Sequence, residues 1–579
     1  MTTLIPTDDA EETVALEVRA DQLPLKVIEE NTSVDGPAQT IVNELLVHGA
    51  KLIVGPRGCG KTHLMRYAWA QSMRDAHQPF AVYLSFNKYL RLEPLLRSKS
   101  NALDVFHGWI LCLCYLGLHE AIEEHLKRDT PKVDEDLWLE YPKEDLLAIV
   151  ARLERGGALP HEHQELFDSM SLVMLKQAIE RIATALHRRR SVVLMDDAAL
   201  TLAPEYLPDF FDLFRALKAS TISPKASVYP GTTEYGPRFH VAHEADEVQA
   251  WISVEHPNYS GLMESIGTKR MSNYYAIPAD IRDLFKYAAF GIPRAYLTLL
   301  HDYVKSADEG TQQSRFNAIL EKFLKNKEAE YLSLTQKVPK FSTLITTGLD
   351  LFNKMCAALV EENIKLVSTG EKQLYVGVQE TAERNMYVER MFSLLIEAGL
   401  LYGFASSVSH GKARVYERFI PHLGSLIRDR AFSESRGFSP SKTVESIRLP
   451  GVKHPLRRSA STLLGQSVIS SLKLDLPPCQ NCQTARISES SKHCHHCGAQ
   501  LTDASAFASC MNVELASIPY LTAWQQRKLS EEFSEVKTVG DFMALRDPGS
   551  ELRRIYQVGK ARATRINQSI EAFVDEFLS

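Results

Sequence analysis

The chain has 579 residues, 45% of them hydrophobic and 24% charged, with a formal net charge of −6. That length is too great for one hydrophobic core, so several domains are expected within a composition ordinary for a soluble globular protein. A net negative charge excludes a polycation, so any surface for nucleic acid must be local.

No stretch reaches the roughly 18 uninterrupted apolar residues of a membrane span, and no membrane partner is expected. The nine cysteines are not spaced like a disulfide framework. Four form two tight pairs, while Cys59, Cys112, Cys114, Cys356 and Cys510 are scattered. A reducing cytoplasm with one metal site fits this pattern.

In chain order, residues 1–24 are acidic, lack the basic-then-apolar order of a secretory signal, and are expected to form a disordered tail. "KLIV", Lys51 to Val54, reads as a short buried strand. "THLMRYAWAQSM" reads as a helix with Leu64, Met65, Tyr67 and Ala68 on its inner face. Between them, "GPRGCGKTH" satisfies G-x-x-x-x-G-K-[ST]. Strand, loop and helix are the setting a phosphate-binding loop requires. The nucleotide-binding residues are then Gly55, Pro56, Arg57, Gly58, Cys59, Gly60, Lys61, Thr62 and His63. The glycines let backbone N–H groups curl around a β-phosphate at the positive end of the helix. Lys61 would reach the β/γ oxygens, and Thr62 would hold Mg²⁺.

A second strand is expected in Pro79 to Phe86, followed by a mostly helical insertion at 88–189. The apolar, β-branched run Ser191 to Met195 delivers Asp196 and Asp197 at its C-terminal end. A buried parallel strand presenting a carboxylate there suits a Mg²⁺ shell, with Asp196 as the ligand. A further strand ends at Tyr229, with Thr232 and Thr233 next, where a hydroxyl is placed to sense a γ-phosphate. Arg238 follows, either an arginine finger for a neighbouring subunit or a plain surface arginine. "IPADIRDLFKYAAFGIPRAYLTLLHDYV" is helical on both sides of Gly291, with Pro293 in a first turn and Arg294 beside it.

P-loop, paired-acid strand, hydroxyl-bearing strand and "GIPR" together resemble an AAA+ ATPase over residues 25–305. The resemblance is nearest to the origin-recognition-complex-like branch and the related bacterial STAND-type ATPases. It implies an α/β fold with a parallel-sheet P-loop core, a helical insertion larger than a minimal core needs, and a helical lid. It implies ATP and Mg²⁺ as cofactors and a homo-oligomer in which one subunit completes another's site. Arg294 would contact the γ-phosphate from the lid. Asp197 stands where many such ATPases carry a glutamate that polarises the attacking water. Its shorter side chain implies slow or partner-gated hydrolysis. By analogy with the bacterial branch, a genome-defence or mobile-element role follows.

In the helical and winged-helix region 306–431, Asp308 to Lys340 reads as charged helix and Asn385 to Ile427 as helix, strand, turn, strand and short helix, which looks like the end of a winged-helix domain. Lys412, Arg414 and Arg418 would touch DNA, or the module would dock protein. Residues 432–477 are rich in Ser and Pro and are expected to be a flexible, mildly basic linker. Within 478–505, Cys479, Cys482, Cys494 and Cys497 form C-x₂-C-x₁₁-C-x₂-C. Four thiolates leave no open position, so a structural Zn²⁺ is expected. The arrangement looks like a zinc ribbon, with His493, His495 or His496 as possible substitute ligands.

In 510–579, Ile555, Val558, Gly559, Ala563 and Ile566 fit a helix-hairpin-helix, with a degenerate companion copy around Val539 and Gly540. The resemblance implies backbone contact to a DNA phosphate at Gly559, with Lys560, Arg562 and Arg565 beside it. The usual G-x-G is here Gly559-Lys560-Ala561. The function expected is a DNA-associated ATPase. The alternatives are a nucleotide switch acting on a separate protein effector, and an ATP-dependent loader or transposition regulator.

Overall fold

The structure, a computed structural model, describes residues 20–86, 92, 95, 101–128, 137–154, 157–198, 206–231, 233, 235–306, 310–380, 385–409, 414–433, 439–488, 491, 493–501, 506–518, 520–533, 536–545 and 547–578. Helices α1 (Leu25–Asn31) and α2 (Pro37–Leu46) lead into β1 (Lys51–Val54) and α3 (Lys61–Arg74). Then come β2 (Phe80–Ser85), α4 (Ala102–Arg128), α5 (Lys143–Glu154), α6 (His161–Ser169), α7 (Leu172–Ala185), β3 (Ser191–Asp196), α8 (Tyr206–Leu217), β4 (Ile222–Val228) and β5 (Asp246–Gln249).

The five strands form one parallel sheet in the order β2-β3-β4-β1-β5. Every residue of β3 and β4 is buried, as befits parallel strands covered on both faces. Helices α1 to α3 pack together on one side, while α4, α7 and α8 form the other layer. This α/β core is the fold class expected.

Two expectations change here. Residues 20–24 are not a loose tail: Ala20, Leu23 and Ile28 form a small apolar cluster, and Arg66 donates to the carbonyls of Ala20 (2.7 Å) and Asp21 (2.6 Å). The segment 88–189 is not wholly an insertion, because α4 and α7 cover the sheet. Helix α4 buries most of its apolar residues and keeps Asp104, His107, Glu120, Glu123 and Lys127 exposed. Phe106 stacks on Tyr206 of α8 at 4.2 Å, and His125 lies 6.0 Å from Phe80 of β2. By length and composition its Ala102–Lys127 stretch would cross a membrane, yet 78% of that window is buried within the protein.

Helices α9 (Tyr259–Arg270), α10 (Ala279–Ala288) and α11 (Pro293–Lys305) follow, then the long α12 (Gln312–Lys337) and α13 (Ser342–Leu366). A second sheet is built from β6 (Val376–Gln379), β7 (Leu401–Gly403), β8 (Val408–Ser409), β9 (Val415–Pro421) and β10 (Leu456–Arg458), with α14 (Met386–Glu397) leading into β7 and α15 (Leu423–Arg428) following β9. Its order is β10-β6-β9-β7, with β8 on β9.

Residues 432–477 are not a flexible linker where the structure describes them. They fold as α16 (Pro440–Arg448), β10, α17 (Ala460–Leu464) and α18 (Gln466–Ser471). β10 pairs with β6 in parallel register, and Ile447, Leu464 and Ile469 are buried. Asp475 accepts from the Thr343 amide at 2.6 Å and its hydroxyl at 2.8 Å. The tail carries α19 (Ala506–Met511), α20 (Ala523–Glu532), α21 (Val539–Met543), α22 (Pro548–Leu552) and α23 (Lys560–Leu578).

Candidate nucleotide site and metal centre

The loop between β1 and α3 is shaped by glycine. Gly58 and Gly60 lie at φ 81° and 99°, in the left-handed region. A Cβ on Gly58 would sit 3.1 Å from Ile292 and 3.2 Å from the Arg294 Cβ, so the "GIPR" turn rests directly on this loop. The Arg294 amide donates to the Gly58 carbonyl at 3.4 Å, and its side chain is exposed above.

Lys61 is the first residue of α3 and is buried. Its Nζ donates to the carbonyls of Gly55 (2.6 Å) and Pro56 (3.1 Å) and lies 3.9 Å from the centre of the Tyr229 ring. Arg57 lies over the same ring at 5.6 Å. His63, one turn into the site, meets Arg270 of α9 at 3.0 Å. Burial, then Arg270, Arg294 and Arg66, hold its imidazole down to about 3, so it is neutral and accepts from Arg270.

Asp196 ends β3 and is 1% exposed. Its Oδ1 accepts from the Ser227 hydroxyl at 2.9 Å and its Oδ2 from the Tyr83 hydroxyl at 3.1 Å; Thr62 also hydrogen-bonds it. Burial and the neighbouring Asp197 carboxylate push Asp196 up to about 6 against those hydrogen bonds. A buried carboxylate beside a P-loop hydroxyl is the hard-oxygen donor set that Mg²⁺ takes.

Asp197 has φ 52°, and its amide donates to the Ser227 hydroxyl at 2.7 Å. Its Oδ1 accepts from the Tyr229 hydroxyl at 2.9 Å. Burial and the two carboxylates raise the Tyr229 phenol well above its ordinary value, so it stays a donor.

Besides Thr62, the hydroxyls that touch the two acids are those of Tyr83, Ser227 and Tyr229. The Thr233 hydroxyl accepts from the Tyr229 amide at 3.1 Å, which ties it to its own loop; Thr232 lies outside the described residues. Sequence reasoning missed Ser227, which shares β4 with Ser223 and Lys225 and so carries no distinguishing local signal. Arg238 pairs with Asp212 of α8 at 3.2 Å and is 75% exposed.

In the second sheet, Lys412 lies outside the described residues and Arg414 is exposed. Arg418 is less available than expected: it lies over Phe404 (5.0 Å) and Tyr375 (5.7 Å) and donates to Ser406 at 2.8 Å.

The four cysteine sulfurs lie within 4.8 Å of one another, and the three histidines stay outside the cluster. Cys479 and Cys497 are 3.5 Å apart and Cys482 and Cys494 3.6 Å, near the about 3.8 Å edge of a tetrahedron with Zn–S bonds of about 2.3 Å. The two halves repeat one geometry. Cys479 N–H donates to Thr484 and its carbonyl accepts from Gln483; Cys494 N–H donates to Ala499 and its carbonyl accepts from Gly498. Gln483 and Gly498, the residues after each second cysteine, both have positive φ, 56° and 70°. The donor set and the paired turns fit Zn²⁺. The strands of a ribbon are not present among the described residues, where a single bridge joins His493 to Gln500.

At the C-terminus, Ile555, Val558, Ala563 and Ile566 are buried, and Gly559 is exposed just before α23. Lys560 and Arg565 are exposed on that helix. Arg562 donates back to the Gln557 carbonyl at 2.8 Å and lies 5.0 Å from the Trp524 ring. The companion copy differs: Gly540 lies inside α21, where a Cβ would come within 3.0 Å of the Met511 carbonyl.

No protein-family model matches this chain, and no curated protein does. Among solved structures it is similar to that of the Aeropyrum pernix ORC1 protein in complex with DNA, at 14% identity over 71% of this chain and 95% of that one, with a TM-score of 0.28. A likeness so loose fixes neither a family nor an activity.

Proposed function

We propose that this chain is a P-loop ATPase of the AAA+ type that works on DNA. The observation that carries the reading is the grouping of Lys61, Thr62 and buried Asp196 at the C-terminal ends of the inner strands β1 and β3 of a five-stranded parallel sheet, with Arg294 directly above the loop. In this reading Lys61 leaves the carbonyls of Gly55 and Pro56 for the β/γ oxygens, and its positive charge offsets theirs. Thr62 and Asp196 would hold Mg²⁺, which would supply positive charge to neutralise phosphate oxygens. Asp197 orients the attacking water once the Tyr229 hydroxyl releases it, and Arg294 adds charge from the lid side. Arg238, exposed on α8's side of the core, serves a neighbouring copy in an oligomer.

The cysteine cluster is a structural Zn²⁺ site. The second sheet acts as a winged-helix-like module. Gly559, Lys560 and Arg565 offer a phosphate-binding hairpin that positions DNA without reading its sequence. The test is ATP turnover by the full chain with and without double- and single-stranded DNA, comparing wild type with Lys560→Glu. DNA should stimulate wild type and stimulate the variant less. Turnover indifferent to DNA in both proteins removes the DNA part of the reading.

A nucleotide switch for a protein effector is the second reading. It is favoured by the bond that keeps Asp197 on Tyr229, which suits slow hydrolysis. Stimulation by a protein and not by DNA would select it.

A further inference from the structure

The thirteen residues from Arg553 to Arg565 include five cations and no acid, in a chain whose net charge is −6. Arg553, Arg554, Lys560, Arg562 and Arg565 are all exposed. A local surface of this kind attracts a polyanion. Among these cations stands Tyr556, 71% exposed between the buried Ile555 and Val558. The backbone beneath its ring is fixed on both sides. The Tyr556 amide donates to Glu532 Oε2 at 2.8 Å, a charge-assisted bond, and Glu532 is itself paired with Lys528 of α20. Gln557 lies at φ 67°, and its carbonyl accepts from Arg562 at 2.8 Å. The Lys528 ammonium lies 5.4 Å from the centre of the Tyr556 ring. Folding gains nothing from an aromatic ring left in water, since its apolar face stabilises only when covered. Attraction of phosphate accounts for the five cations and leaves the pinned tyrosine among them unexplained.

We propose that Tyr556 is a stacking platform for an unpaired base, so that this turn takes single-stranded DNA in preference to duplex. The inference rests on the DNA reading of the tail given above and names the form of DNA that it takes. Phosphate contacts at Gly559 and Lys560 are open to either form, because they carry no information about the bases. The ring discriminates. It gains where a base has a free π face, and every base has one, so the preference is for strandedness and not for sequence. In a duplex each base is covered above and below by its neighbours, and a ring could reach it only after unstacking a step. In a single strand that face is open. Tyr556 and Gly559 are three residues apart, at most about 11 Å even in a fully extended chain. A base on the ring and a phosphate at the glycine therefore belong to neighbouring nucleotides of one strand.

The test is fluorescence anisotropy of the full chain with a labelled oligothymidylate, an abasic strand of equal length and a duplex. Wild type should bind the oligothymidylate most tightly. Tyr556→Ala should lose roughly 5- to 150-fold on that strand, the range for one stacked base, and less than about twofold on the duplex. Tyr556→Phe should keep wild-type affinity, whereas Tyr556→Leu, apolar but without a π face, should behave as the alanine variant. The slope of log affinity against log salt should stay the same in Tyr556→Ala, because no phosphate contact is removed. The abasic strand should bind wild type and Tyr556→Ala alike. Equal losses on single strand and duplex, no loss on the single strand, or full affinity in Tyr556→Leu overturns the stacking role. A wild type that binds no DNA of either form removes the DNA reading, and this inference falls with it.

Discussion

The C-terminal ends of the inner strands and the cysteine cluster hold their functional groups by opposite means. Asp196 is fixed by Tyr83 from β2 and Ser227 from β4, residues 113 and 31 positions away. The core that brings them together exists whether or not anything binds. The cysteines are fixed by turns four or five residues long, and among the described residues of 479–500 only Cys479 and Cys494 are buried. That segment has almost no apolar interior of its own, so a bound metal must supply what a core would. The first site is preorganised by folding, while the second, on the proposed reading, would be folded by its metal.

Metal removal should break this contrast most strongly. Chelation, or Cys494→Ser, forfeits metal-binding free energy on the order of 10 kcal/mol. Limited proteolysis should then cut within 479–500 while the α/β core keeps its melting temperature. A segment that stays resistant after verified metal loss would show that local turns suffice.

Asp196→Asn sharpens the other side. The amide keeps the volume and drops a charge whose burial already pushes the carboxyl up to about 6. Turnover should fall by at least about 100-fold, the range for losing one organised charge-stabilising group, while thermal stability holds or rises. A large drop in stability would mean the ionised carboxylate is part of the scaffold.

His422 extends the comparison to acid. It is fully buried against Phe290 and Phe323, and neither ring nitrogen has a hydrogen-bond partner among the described residues. Burial, then Lys327 and Arg428, hold it down to about 3. Below pH 6.5 the unfolded chain therefore takes up a proton that the folded chain refuses. Its stabilising contribution is complete above that pH and is lost progressively as pH falls toward 3, amounting to about 2 kcal/mol at pH 5. Denaturant titrations of His422→Phe should show that much less loss between pH 7 and pH 5. Parallel pH profiles for the two proteins would contradict this.

The smallest effect is expected at the hairpin. Lys560→Ala should weaken DNA binding a few-fold and lower the slope of log affinity against log salt by about 1, the share of one phosphate contact. An unchanged slope would place the DNA surface elsewhere.

Local pattern made much of this legible. The P-loop, the paired acids on β3, the β1 boundaries and the cysteine spacing are short-range features, and they stand in the structure where the residues indicate. Tyr229 reads from sequence only as the end of a strand, because its role depends on Lys61 and Asp197 converging on it from two other elements. Ser227 is hidden the same way: β4 carries two serines, and nothing local singles out Ser227 until β3 lies alongside. The 432–477 segment misleads through composition. Its serines and prolines suggest a linker, while Val444 with Ile447 and Leu464 with Ile469 supply enough apolar surface to dock its short helices. Helix α13 is absent from the predicted elements although Leu344, Gly348, Leu351, Met355 and Leu359 follow helical spacing and are buried.

Whether the P-loop grips a triphosphate decides the account. Titration calorimetry of the full chain with Mg·ATP, run beside Lys61→Ala, measures it directly. The account predicts one saturable site per chain in wild type and a loss of affinity of at least about tenfold in the variant, as befits removal of a charge-assisted bond to phosphate. No saturable heat in wild type, or equal affinity in both proteins, would contradict it.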